Sequence, residues 1–142
     1  MAVSLNHTII SARDKEESAR FLSELFGLPA PRLLGSFAVV QVGDTSLDFV
    51  TDDGTITQRH FAFLVSEADF DAIFGKIRDR AMPYWADPFR KKPGEINHWD
   101  DGRGVYFDDP SGHLLEIITR PYGSAGTRAD NPHPLVAPTI ED

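Results

Sequence analysis

LNHTIISARDKEESARFLSELFG (Leu5 to Gly27) and QRHFAFLVSEADFDAIFGKIRDR (Gln58 to Arg80) are two copies of one pattern. Setting His7 on His60 also sets Ala19 on Ala72 and Phe21 on Phe74. In each copy an apolar, strand-like run containing a histidine leads into a polar capping segment and then an amphipathic helix. The ends of the two copies match as well: SLDFVT (Ser46 to Thr51) lies over LLEIIT (Leu114 to Thr119), which sets Asp48 on Glu116. Two modules, each with a histidine near its start and a carboxylate near its end, imply a pseudo-twofold site of His7, Asp48, His60 and Glu116. An internal repeat of this kind constrains the fold more than any local propensity does.

Working outward, Leu5 to Ser11 reads as a strand with Leu5, His7 and Ile9 on one face, because side chains alternate. Ser11 or Asp14 caps the helix that follows. Ala19, Leu22, Leu25 and Phe26 form its apolar stripe, and Gly27 is placed to stop it. Pro29 and Pro31 break the chain. Phe37 to Val42 and Ser46 to Thr51 flank Gly43-Asp44-Thr45, a hairpin signal. In the second module, His60 to Val65 is the strand, with His60, Ala62 and Leu64 on one face and Phe61 and Phe63 on the other, in the core. Ser66, with Asp69 three residues on, caps a helix running to about Arg80, with Phe70, Ile73, Phe74 and Ile77 inward. A proline-, charge- and tryptophan-bearing stretch from Met82 to Arg103 reads as a long loop with a short strand near Tyr84 to Ala86, and loops of this length are usually functional or disordered. Val105 to Asp108 and Leu114 to Thr119 make the last hairpin. Each module thus reads β-α-β-β-β, module one over 4–54 and module two over 58–122, in a single α+β domain over 1–122. Residues 123–142 form a Pro/Gly-rich tail expected to lack regular structure unless a partner orders it.

The chain has 142 residues, a hydrophobic fraction of 41% and a charged fraction of 25%, ordinary values for one globular domain. No cysteine is present, which excludes disulfides and thiolate metal sites, so any metal must be held by nitrogen and oxygen. A formal net charge of −8 argues against nucleic acid or an anionic membrane as partner. No apolar run is long enough to span a bilayer, and the N-terminal MAVSLNHTII lacks the marks of a signal peptide. These features favour a cytoplasmic protein.

The module order, the histidine at the head of each module and above all GRGVYFDDPSGHLLEI (Gly102 to Ile117) resemble the vicinal oxygen chelate superfamily, which includes glyoxalase I, fosfomycin-resistance enzymes, extradiol dioxygenases and bleomycin-resistance proteins. The resemblance runs from about Ser4 to Tyr122. It implies two βαβββ modules curling into a cupped, open mixed-sheet barrel, with one divalent metal (Fe, Mn, Ni, Co or Zn) held by His7, His60 and Glu116. It also implies a small-molecule substrate chelated through vicinal oxygens, with dioxygenase or lyase/isomerase chemistry, and a homodimer. Two imidazoles and one carboxylate leave coordination positions open, and the ion then acts as a Lewis acid on the chelated oxygens. Tyr106, on the strand that in relatives reaches the substrate, is the candidate proton donor or relay. Asp48 stands where glyoxalase I relatives place Glu or Gln. It is one methylene shorter, so it is expected to bind through a water, to act as a general base, or to do neither. The alternative is a metal-free protein that sequesters an antibiotic, for which the aromatic-bearing loop (Tyr84, Trp85, Phe89, Trp99) would serve as a stacking platform.

Overall fold

The computed structural model describes residues 2–136. They form two compact units, one of residues up to 59 with the turn 109–113, the other of 60–108 and the residues from 114 on.

The first unit begins with β1 (His7–Ala12), α1 (Lys15–Phe26), β2 (Arg32–Leu34), β3 (Phe37–Val42) and β4 (Thr45–Thr51). Its helix starts where Asp14, in extended conformation, accepts hydrogen bonds from the Glu16 and Glu17 amides. It ends at Gly27, whose left-handed backbone (φ 66°) is what glycine tolerates without steric cost. The sheet order is β1-β4-β3-β2, with β1 parallel to β4 and the other pairs antiparallel. One face buries Ile10, Ala12, Ala38, Val40, Leu47 and Phe49, and Ala19, Leu22 and Leu25 are the buried stripe of α1. The register places His7, Ile9, Ser46 and Asp48 on the other face, where Ile9 is 58% exposed. The turn 109–113 is pinned to this unit by His113. Its Nδ1 accepts from the Arg59 amide (3.0 Å), so Nε2 carries the proton that it donates to the Ser11 carbonyl (2.8 Å). A fully buried neutral imidazole with both nitrogens engaged is structural, as its place in a turn suggests.

The second unit repeats the plan: β5 (His60–Leu64), α2 (Glu67–Asp79), β6 (Tyr84–Trp85), β7 (Gly104–Asp108) and β8 (Leu114–Ile118), in order β5-β8-β7-β6, again with the first pair parallel. Ser66 caps α2 through the Asp69 amide at 3.1 Å. Phe70, Ile73 and Ile77 are buried with Val105, Phe107, Leu115 and Ile117; fully burying a side chain of this size contributes roughly 1.5–3 kcal/mol. Phe61 and Phe63, expected in the core, are half-buried, because β5 is an outer strand of its sheet. Neither sheet closes on itself. The α+β class and the doubled βαβββ plan expected from the repeat are therefore present, with two helices and eight strands in the described residues. No helix among them is long and apolar enough to cross a membrane.

The stretch 82–103 is ordered by its own hydrogen bonds. The Asp87 carboxylate accepts from the amides of Phe89, Lys91 and Lys92, and Arg90 pairs with Asp108 while its guanidinium lies 5.2 Å from the centre of the Trp85 ring. Asn97 bridges to Gly104, and a 3₁₀ turn follows at Trp99–Asp101. Past Arg120 the chain holds a single short 3₁₀ turn, Gly126–Arg128, within the described residues, and it packs on its own unit. Asp100, buried, accepts from the Gly123 amide at 2.7 Å, and its own amide donates to the Asn131 carbonyl at 2.7 Å. Asp101 accepts from the Asn131 amide at 2.8 Å. Both aspartates sit at positive φ (59° and 60°), a costly conformation for a non-glycine residue that these bonds offset. The expected tail thus doubles back over residues 122–136; residues 137–142 lie outside the described residues.

Candidate active site

The site grows from the register of the second sheet. Ala62, two residues after His60, stands opposite Glu116, and Glu116 stands opposite Tyr106 on the other side. Alternation then places His60, Glu116 and Tyr106 on one face. Nε2 of His60 lies 3.1 Å from Oε1 of Glu116, and Nδ1 lies 3.0 Å from the Leu114 carbonyl oxygen. A carbonyl only accepts, so Nδ1 carries a proton and donates it. Nε2 is then left facing a carboxylate, which also accepts. A positive species must stand between these two atoms: either a proton, making imidazolium, or a metal ion.

Without a metal the proton fills that place. The hydrogen bond to Glu116 raises His60 above the ordinary imidazole value, against a smaller lowering by burial, with the Leu114 carbonyl adding to the rise. A metal fits as well. Two donors each about 2.1 Å from a shared ion and at right angles to one another lie about 3 Å apart. The Leu114 carbonyl holds the ring in the tautomer and orientation a ligand needs, as partners of metal-bound histidines generally do. Two donors do not complete a site, however, and among the described residues of one chain no group of three His, Asp or Glu side chains converges on a metal position.

Tyr106 is buried and its ring stacks at 5.7 Å on that of His60. Burial, then the charge of Glu116 and the hydrogen bond to it, push the phenol far above its ordinary value. Its hydroxyl is therefore a donor at every physiological pH and not a base.

The other two expected site residues lie in the first unit. His7 shares a hydrogen bond of 2.7 Å between its Nδ1 and Oδ1 of Asn6, and Asp48 accepts from the Ser46 hydroxyl at 2.9 Å. They share the exposed face of the first sheet, and among the described residues no hydrogen bond or ion pair joins them. Arg103 binds Glu67 and Asp71 on α2 at 2.8 Å each and lies over the Phe70 ring.

His60, Glu116 and Tyr106 open on a cavity of about 550 Å³ whose walls are mostly apolar and aromatic. Trp99 and Phe89 of the long loop line it, as that loop's aromatic content suggests. Tyr122, His133, Pro134 and Leu135 line it too, and these were not expected. The signal available for them was weak: one imidazole beside prolines and a leucine in a segment otherwise made of small and polar residues.

Residues 4–117 match the Glyoxalase/Bleomycin resistance protein/Dioxygenase superfamily, and the chain belongs to it. It is similar to two solved structures named Oxidase ChaP-H2 (57% identity, TM-score 0.86, covering 89% of this chain and 100% of that one) and Oxidase ChaP-H1 (57%, TM-score 0.84, 86% and 99%). A curated relative, Metallothiol transferase FosB of Shouchella clausii (strain KSM-K16), is 29% identical over 126 residues, 84% of this chain and 82% of the relative. With relatives of these kinds the chain is an enzyme of the glyoxalase superfamily.

Proposed function

We propose that the protein is a divalent-metal-dependent oxidase or oxygenase acting on a flat small molecule chelated through vicinal oxygens. The observation that carries this reading is the His60–Glu116 contact, where an imidazole nitrogen and a carboxylate oxygen 3.1 Å apart at the base of an aromatic cavity are spaced to share either a proton or a metal ion. The 57% identity to two proteins named oxidases, over nearly all of their length, supports oxidation over isomerisation. In this reading His60 and Glu116 hold the ion, and His7 of a second copy completes the set. Support for a homodimer comes from the exposed faces of both sheets, where Ile9 (58%), Leu34 (50%) and Leu64 (61%) would otherwise remain in water. The bound ion would supply Lewis acidity to the chelated oxygens. The chain's own residues do the rest. Leu114 fixes the His60 ring. Tyr106, protonated, donates to Glu116 or to a substrate oxygen. Trp99 and Phe89 exclude water from the substrate's rings. Asp48 is the candidate general base, on the same face as His7. Fe, Mn, Ni, Co and Zn all suit this donor set, and the cytoplasm is the proposed compartment.

The test is metal content. Purified protein is expected to hold one ion per chain, lost in a His7→Ala, His60→Ala double variant. Mixing H7A with H60A chains should restore about a quarter of the wild-type sites by statistical pairing of a twofold dimer. Absence of complementation would place all ligands on one chain, and a monomer mass by light scattering at micromolar concentration would remove the dimer. One observation favours a second reading, metal-free sequestration of a planar compound: no third donor joins His60 and Glu116 within the described residues of one chain. Metal-free protein that still binds a flat aromatic compound at micromolar concentration would select it.

A further inference from the structure

We infer that the C-terminal segment forms the far wall of the substrate cavity and that His133 is a specificity-determining residue, donating a hydrogen bond to an oxygen on the substrate remote from its chelated pair. This rests on the proposed reading of the site only in where it puts the substrate's other end.

Four observations carry it. His133 is buried, at 8% exposure, and lines the cavity that holds His60, Glu116 and Tyr106. Its Nδ1 accepts from the Leu135 amide at 3.1 Å, so in the neutral ring the proton is on Nε2. No described residue hydrogen-bonds to that Nε2, which leaves it as a donor for a ligand. Its position is fixed: Trp99 meets its ring edge-on at 4.9 Å and Tyr122 packs at 5.4 Å, while Asp100 and Asp101 clamp the backbone of the segment through Gly123, Asp130 and Asn131.

The third observation is the spacing. Successive ring contacts of 5.7, 6.1 and 4.9 Å lead from His60 through Tyr106 and Trp99 to His133. A ligand lying along these rings from His60 to His133 meets four rings in succession, which suits a compound of several fused or linked rings. Besides His60, Glu116, Asp87 and His133 the wall is mostly apolar and aromatic, so the ligand is largely flat and apolar, with oxygens where it meets the two histidines. Finally, the superfamily match ends at residue 117. Tyr122 and His133 lie beyond that match, and discrimination between substrates is commonly added to a shared chemistry by residues outside the common scaffold.

Two fluorescent flavonols test this: 3-hydroxyflavone, with vicinal oxygens at one end alone, and 3,4′-dihydroxyflavone, identical except for a hydroxyl at the far end. Each is titrated into the full chain loaded with redox-silent Zn(II) and again into metal-free protein. Wild type is expected to prefer the dihydroxy compound by about tenfold, the upper range of one well-placed hydrogen bond in a cavity. His133→Phe should abolish that preference; His133→Gln, which keeps a donor, should retain part of it. If H133F does not melt as a folded protein, H133A replaces it. The inference is overturned by no saturable binding in wild type, by no preference in wild type, or by a preference that survives H133F. Failure of the metal reading looks different: both affinities would be the same with and without Zn(II), while the preference and its dependence on His133 remain.

Discussion

In the first unit Ile9 stands opposite Asp48; in the second, Ala62 stands opposite Glu116. Each of these strand residues comes two after a histidine, on a parallel pair of strands, in sheets of identical order. Backbone placement of the two histidine–carboxylate pairs is therefore equivalent, yet the outcomes differ. Glu116 reaches His60 at 3.1 Å, whereas Asp48 turns to the Ser46 hydroxyl at 2.9 Å and His7 to Asn6. One methylene separates the two acids, a difference in reach of about 1.5 Å. It is enough to decide whether a carboxylate meets the imidazole across the strand pair or folds back on its own strand. A duplicated scaffold fixes positions, and side-chain length then decides in which copy the imidazole and the carboxylate meet.

The largest effect should come from making the second module like the first. Glu116→Asp draws the carboxylate back by about 1.5 Å from Nε2 of His60. Metal affinity, measured by isothermal titration, is expected to fall by more than the roughly 10–100-fold that loss of an outer-sphere partner costs. Turnover should fall with it. The converse change, Asp48→Glu, is expected to strengthen metal binding by up to about tenfold, as an extra carboxylate gains reach. Equal, small effects of both changes would break the comparison, because length would then not be what separates the modules.

Much of this was legible from the chain. Asp14, Gly27 and Ser66 act within a few residues of themselves, so their roles follow from local chemistry, and each is found in it. The repeat sets His60 and Glu116 on paired strands 56 residues apart, because duplication carries long-range register that composition does not. β2 was not legible: three exposed residues between Pro31 and Gly35 show no alternation to read. His133 was not legible for a different reason. Its place depends on Asp100 and Asp101 holding left-handed backbone and gathering amides from 23 to 30 residues downstream, and an Asp-Asp-Gly run reads as an ordinary turn.

Tyr106 offers a smaller effect, specific to the second module. Its phenol is held protonated by burial and by Glu116. A group whose folded pKa lies above its unfolded value contributes stability that is whole below the unfolded pKa, about 10, and is lost as pH rises beyond it. Wild type should therefore lose melting temperature from about pH 10 upward more steeply than Tyr106→Phe. At neutral pH, Y106F should lower kcat by about tenfold, through loss of one hydrogen-bond donor, with KM changed less. Parallel alkaline slopes in the two proteins would show that the hydroxyl ionises freely in the folded state.

The smallest expected effect compares the helix starts. Asp14 accepts from two amides, at 3.0 and 3.2 Å, and Ser66 from one, at 3.1 Å. Asp14 also brings a negative charge to the positive end of the helix dipole, which Ser66 does not, although Glu16, Glu17, Glu67 and Asp69 place acids in both first turns. Asp14→Ala is expected to cost about 1–2 kcal/mol and Ser66→Ala about 0.5–1 kcal/mol by urea denaturation. Equal costs in the two variants would show that the first turns of the two helices are governed by their glutamates and aspartates, and that the caps do not distinguish the modules.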